Sequence, residues 1–93
     1  MNKEELKAKA SKTIDEVSAK LNELKEKREK ASQDAHDKYD SAIADLEKRK
    51  DKLEDTFSEM KSASEDTFEN ASKAFSEASE SFKEGFDKMT NWS

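Results

Sequence analysis

The stretch LEDTFSEMKSASEDTFENASKAF, residues 53–75, decides the fold. Its apolar side chains stand at Leu53, Phe57 and Met60, then at Phe68, Ala71 and Phe75. Steps of three and four place each group on one face of an α-helix. Between them, residues 61–67 are almost wholly polar. Serine, aspartate and threonine compete with helical hydrogen bonding and favour helix ends. Ser62 with Glu65 fits a capping box, and so does Thr56 with Glu59. A turn is therefore expected near residues 61–66. There is no proline and Gly85 is the only glycine, so nothing forces a reversal. The alternative is one rod of about 130 Å, at ~1.5 Å per residue.

Outward from this stretch the same face continues in both directions. Leu6, Leu24, Ala42, Met60 and Ala78 stand 18 residues apart, as do Val17, Ala35, Leu53, Ala71 and Met89, and Leu21, Tyr39, Phe57 and Phe75. Eighteen residues are about five helical turns, so each series runs parallel to the axis, and the three lines form one narrow stripe. Residues 6–31 form an aliphatic segment that also holds Ala10, Ile14 and Ala31. Glu5–Lys9, Glu16–Lys20, Glu23–Lys27 and Glu26–Lys30 support it at i,i+4. Arg28 falls inside the stripe; its head is expected to reach the edge and to help fix a pairing register. Residues 32–38 are the least apolar part of the stripe, kept continuous only by Ala35, and read either as a closely packed alanine layer or as a weak point, before the stripe resumes at Tyr39, Ile43 and Leu46.

Farther on, Phe68, Phe75, Phe82 and Met89 repeat every seven residues, and Ala71, Ala78, Gly85 and Trp92 do so three places later. Asp55-Thr56-Phe57 recurs as Asp66-Thr67-Phe68, an 11-residue step. Seven and eleven together restore the straight 18-residue period, so any supercoil is weak. The expected fold is all-α: a helix over about 3–61, a turn at 61–66 and a helix over about 67–91, a single coiled-coil unit spanning 1–93 as a hairpin or rod. The helix-packing interface is assigned to Leu6, Ile14, Val17, Leu21, Leu24, Tyr39, Ile43, Leu46, Leu53, Phe57, Met60, Phe68, Ala71, Phe75, Ala78, Phe82, Phe86 and Met89. A hairpin would pair Phe68 with Phe57 or Met60, and Phe75 with Leu53. The segment before Leu24 would stay uncovered by so short a return, which predicts at least a dimer.

Composition narrows the function. Charged residues are 44% of the chain and the hydrophobic class 31%, too few apolar groups for a large core but enough for a seam. Net charge is −5: residues 1–54 hold 14 acidic and 14 basic side chains, while residues 55–93 hold 9 and 4. Such a surface is a poor match for nucleic-acid phosphates. The second half presents an acidic, hydroxyl-rich face, whereas helices lying on anionic lipid carry a lysine excess there. Cysteine is absent, and no apolar segment resembles a secretory signal or approaches the ~20 residues that span a bilayer, which fits a cytoplasmic protein.

Candidate chemistry is sparse. His36 with Asp40 at i+4 is too few ligands for a structural metal, and the pair reads as solvated polar side chains. The serines lie on a polar helical face with no base or oxyanion hole to serve them. Lys48-Arg49-Lys50-Asp51-Lys52, ringed by acidic residues, reads as a solvated face. Asn70-Ala71-Ser72 and Asn91-Trp92-Ser93 match the glycosylation pattern, but no export signal accompanies them. No enzyme, cofactor or metal is expected. The aromatic side chains Phe57, Phe68, Phe75, Phe82, Phe86 and Trp92 are the sharpest signal; burying each is worth roughly 1.5–3 kcal/mol. A helix–helix seam is the preferred use, and docking on a lipid or storage-granule surface is the alternative.

From Lys20-Leu-Asn-Glu-Leu-Lys to Tyr39, through Ala42-Ile-Ala-Asp-Leu-Glu-Lys-Arg-Lys-Asp-Lys-Leu-Glu and Ser62-Ala-Ser-Glu-Asp-Thr-Phe-Glu to Phe75, the chain resembles the small stress-induced coiled-coil proteins of bacteria. The resemblance spans about three-quarters of the chain. Members carry tryptophan where Phe68 and Phe75 stand here, which keeps an aromatic stripe. The 11-residue step is similar in pattern to phasins, late-embryogenesis proteins and apolipoproteins. The resemblance implies a short, charged, helical bacterial protein without catalytic residues and with a stress-related role. The expected function is non-enzymatic self-association through the stripe.

Overall fold

The computed structural model describes residues 2–91, with side chains described as far as Met89. Asn2 starts the first helix: its Oδ1 accepts from the Glu5 N–H at 2.8 Å, and its Nδ2 donates to the Glu5 carboxylate at 3.1 Å. The cap and the third helical residue thus hold each other in place. Helix α1 spans Lys3–Lys30, with Glu4 and Glu5 in its first turn and Lys27, Arg28 and Lys30 in its last. Those charges have the sign that each end of the helix dipole favours. Helix α2 spans Gln33–Ser62 and helix α3 spans Glu65–Asn91. The chain is all-α, with no strand among the described residues.

The expected single helix over 3–61 is in fact two. Ala31 (φ −78°, ψ 159°) and Ser32 (φ −65°, ψ 158°) are extended and break it. The weak stretch 32–38 is therefore a helix start. A continuous helix would leave the apolar residues of α1 in water, whereas turning back buries Ala10, Val17, Leu21 and Leu24 at 2–5% exposure. The premise of an uncovered first segment, from which a dimer followed, does not hold.

The second break falls at Ala63 (φ −71°, ψ 143°) and Ser64. Its cap is not Ser62, which ends α2 with its hydroxyl donating to the Ser58 carbonyl at 3.1 Å. Ser64 takes that place. Its carbonyl accepts from Phe68 N–H at 2.9 Å, and its own N–H donates to Thr67 Oγ1 at 3.1 Å. Thr56 is no cap either: it lies inside α2, and its hydroxyl donates to the Leu53 carbonyl at 2.9 Å.

The molecule measures 50 × 19 × 16 Å. Helices of 27–30 residues are about 40–45 Å long, so all three lie along the long axis. Arg28 meets Asp40, and Lys25 meets Glu47 at 3.7 Å, so α2 returns antiparallel to α1. Phe57 meets Phe75, so α3 returns antiparallel to α2. The result is an up-down-up three-helix bundle, neither a rod nor a two-helix hairpin. Helix α2 is central, and α1 and α3 touch each other most sparingly.

Candidate functional site

The stripe becomes the core of the bundle. Of the assigned interface residues, Val17, Leu21, Leu24, Tyr39, Ile43, Leu46, Leu53, Met60, Phe68, Ala71, Phe75, Ala78, Phe82 and Met89 are buried in one cluster. Leu6, Ile14, Phe57 and Phe86 lie half-buried against it. Leu53 is fully enclosed at 0% exposure and forms the centre. Phe75 packs edge-on against Phe57, with centroids 6.3 Å apart and planes at 60°. The ring partner is thus Phe57, one turn from the Leu53 expected of a hairpin. Period alone repeats every three or four residues, so it fixes the face of a helix but not its axial register, which the turn sets.

Cations close the rim of this core. Lys61 Nζ lies 4.8 Å from the Phe57 ring centroid. From α1, Lys3 lies 5.4 Å over Phe68 and Lys20 lies 5.2 Å over Phe86 of α3. Such contacts cover a ring while keeping the ammonium wet. Phe86 also stacks on Phe82 at 6.3 Å and 16°. Trp92 lies outside the described residues, as does part of the Asn91-Trp92-Ser93 pattern.

Three polar side chains carry more than the sequence assigns them. Arg28 reaches the edge of the stripe, as expected, and grips Asp40 with two donors, the second at 3.2 Å, strapping α1 to α2 across the first break. The hydrogen bond from Arg28 holds the Asp40 carboxyl below its ordinary 3.8; burial opposes this, and the charges of Arg28 and His36 add to it. Asp40 in turn raises Arg28. Asp40 is thus committed, which removes it as a ligand partner for His36. His36 is half-buried rather than solvated, and its Nε2 is enclosed without a hydrogen-bond partner.

Arg49 is likewise no solvated member of a basic face. Its guanidinium lies across α3, donating to the Ser81 carbonyl at 2.6 Å and the Ser81 hydroxyl at 3.0 Å, and to Asp45 at 2.9 Å. Gly85 makes this crossing possible: a Cβ there would stand 3.0 Å from Arg49 Nε and 3.1 Å from Leu46 Cδ2.

The interface set missed Ala10, Thr56 and Gly85, all buried. Thr56 stands three residues after Leu53 and four before Met60, a spacing that fits the stripe, but its hydroxyl favours reading it as a helix cap.

A shallow groove of about 280 Å³ separates α1 from α3, with Leu6, Ala10, Met60, Ser72 and Ser76 among its walls. The Ser72 hydroxyl is buried there without a partner. His36 begins α2 at the opposite end of the bundle, so no histidine base attends this serine. Among the described residues no group of three or more His, Cys, Asp or Glu side chains could hold a metal, and no helix is long and apolar enough to cross a membrane. Compared with known proteins, the chain matches no family model, no curated protein and no solved structure.

Proposed function

We propose that this chain is a non-enzymatic helical protein that acts by self-association, its apolar stripe passing from cover within one chain to cover between copies. One observation carries this. The buried residues of three separate helices share a single helical phase: Leu24, Met60 and Ala78 on one 18-residue line, Val17, Leu53, Ala71 and Met89 on the next, and Leu21, Tyr39 and Phe75 on the third. A bundle sets each helix's rotation at its own turn and does not require one phase carried through two breaks. A chain whose segments join end to end against a second chain does require it. Both breaks, Ala31–Ser32 and Ala63–Ser64, lack glycine and proline, and no described residue has a positive φ, so either break can become helical. A stress-related, bacterial and cytoplasmic setting comes from the family resemblance and the absence of cysteine.

Light scattering from micromolar to millimolar protein tests this. The mass should rise to at least that of a dimer while helical circular dichroism stays constant. A single-chain mass throughout would overturn the proposal.

A second use is favoured by Lys61, which flanks the Phe57 ring on the same helix at the stripe's margin, a placement that suits an interfacial helix and survives opening of the bundle. Opened on a lipid or granule surface, the bundle would lose its tertiary near-ultraviolet signal and keep its helicity. Failure to float with neutral vesicles would remove this use.

A further inference from the structure

The geometry points to α1 as the element that changes hands: it swings out at Ala31–Ser32, and the seat it leaves on α2 and α3 is taken by α1 of a second copy. This rests on the self-association proposed above and names its hinge and its contact. The seat fits a second α1 because it already fits the first, so no new surface is needed.

The two breaks differ in how firmly they are held. At the second, Ser64 and Thr67 exchange hydrogen bonds at 3.1 and 3.2 Å. At the first, Ser32 makes no side-chain capping bond. The seams differ in the same sense. Between α2 and α3 lie the Phe57–Phe75 ring pair, the Arg49 crossing and the close approach at Gly85. Helix α1 inserts only Ala10, Val17, Leu21 and Leu24 as buried side chains, and meets α3 sparingly. The break without a side-chain cap and the seam without a ring pair thus belong to the same helix, and the Arg28–Asp40 pair is the main polar tie across them.

Arg28 and Asp40 make this exchange readable. They are 12 positions apart. If the first break straightened, they would sit about 18 Å apart along one helix and could not pair within a chain. In the exchanged dimer, Arg28 of each copy meets Asp40 of the other. The pair therefore re-forms, and its partners change from intrachain to interchain.

A charge-reversal mixture tests this. The Arg28→Asp chain sets two carboxylates together when closed, and the Asp40→Arg chain sets two guanidinium groups together. In a mixed exchanged dimer, one α1–α2 contact joins the two substituted positions and the other joins the unaltered Arg28 of one chain to the unaltered Asp40 of the other, so both recover opposite charges. Native mass spectrometry of the two variants, one isotope-labelled, should show mixed dimers in roughly two-fold or greater excess over random pairing, the scale expected of exposed ion pairs. Added salt should shrink the excess. Mixed dimers at the random proportion, alongside a wild type that self-associates, would overturn α1 exchange and leave self-association standing through another surface. A wild type that is monomeric at every concentration would overturn both.

The Ser32→Pro chain supplies a second measurement. Ser32 already has φ −65°, Ala31 before it is extended, and no hydrogen bond among the described residues uses the Ser32 N–H, so the closed bundle accepts proline. A straightened helix does not. Dimerisation should weaken about 100-fold; an unchanged association constant would overturn the hinge assignment.

Discussion

Gly85 shows how much one hydrogen atom decides here. An alanine in a helix gains about 1 kcal/mol over glycine from propensity. At Gly85 the added methyl meets Leu46, which is 1% exposed and has no room to retreat, and Arg49, which is held by Ser81 and Asp45. Overpacking of this kind costs about 1–3 kcal/mol. Gly85→Ala should therefore lower stability by about 1 kcal/mol net, read as a fall of about 4–8 °C in Tm; a rise would mean that Arg49 lifts off freely. Asp40 gives a pH dependence of known sign. Its folded pKa is lowered from 3.8, so its contribution is present above that value and lost as pH falls through the lower, folded one. Asp40→Asn should be less stable than wild type at neutral pH, and the gap should close in acid below about pH 4. A gap that widens in acid would contradict the pairing. Neither residue announces its role in the sequence. Arg28 is visible as a charge inside the stripe, but the partner that makes it useful lies across a break that period cannot locate.

The helices themselves are legible because the amphipathic pattern is strong, and the breaks are less so because they are made of ordinary residues. A Pro or Gly would have marked the first break; Ala31 and Ser32 leave only a dip in apolarity over residues 32–38. The second break is better signalled because serine, aspartate and threonine cluster there, although the cap is Ser64 and not Ser62. The caps should respond unequally. Thr67→Ala removes the acceptor of the Ser64 N–H and should cost about 1 kcal/mol. Ser32→Ala removes no capping bond and should change stability by only a few tenths of a kcal/mol. Chemical denaturation of the two variants separates them, and equal losses would reject the distinction. In α3, Phe75→Asp places a charge at the ring pair with Phe57. Total stability for 93 residues is about 5–14 kcal/mol, and burying an unpaired carboxylate can consume much of it. Helicity and assembly should both fall; an unchanged spectrum would mean that Phe75 is not part of the core.

At the scale of the molecule, the three helices are joined in series rather than in a ring. Helix α2 packs closely on both neighbours, while α1 and α3 approach each other less and meet at the rim through Lys3 on Phe68 and Lys20 on Phe86. Amide hydrogen exchange should expose this wiring. The inner amides of α1 should escape through a partial opening that leaves α2 and α3 protected, exchanging at least about ten-fold faster than those around Leu53. Uniform protection across all three helices would require one indivisible unfolding event. Because α1 approaches α3 less closely than α2 and meets it at the rim through Lys3 and Lys20, α2 is the larger part of the seat that guards α1, and the bundle should open as a two-step zipper whose first tooth parts alone.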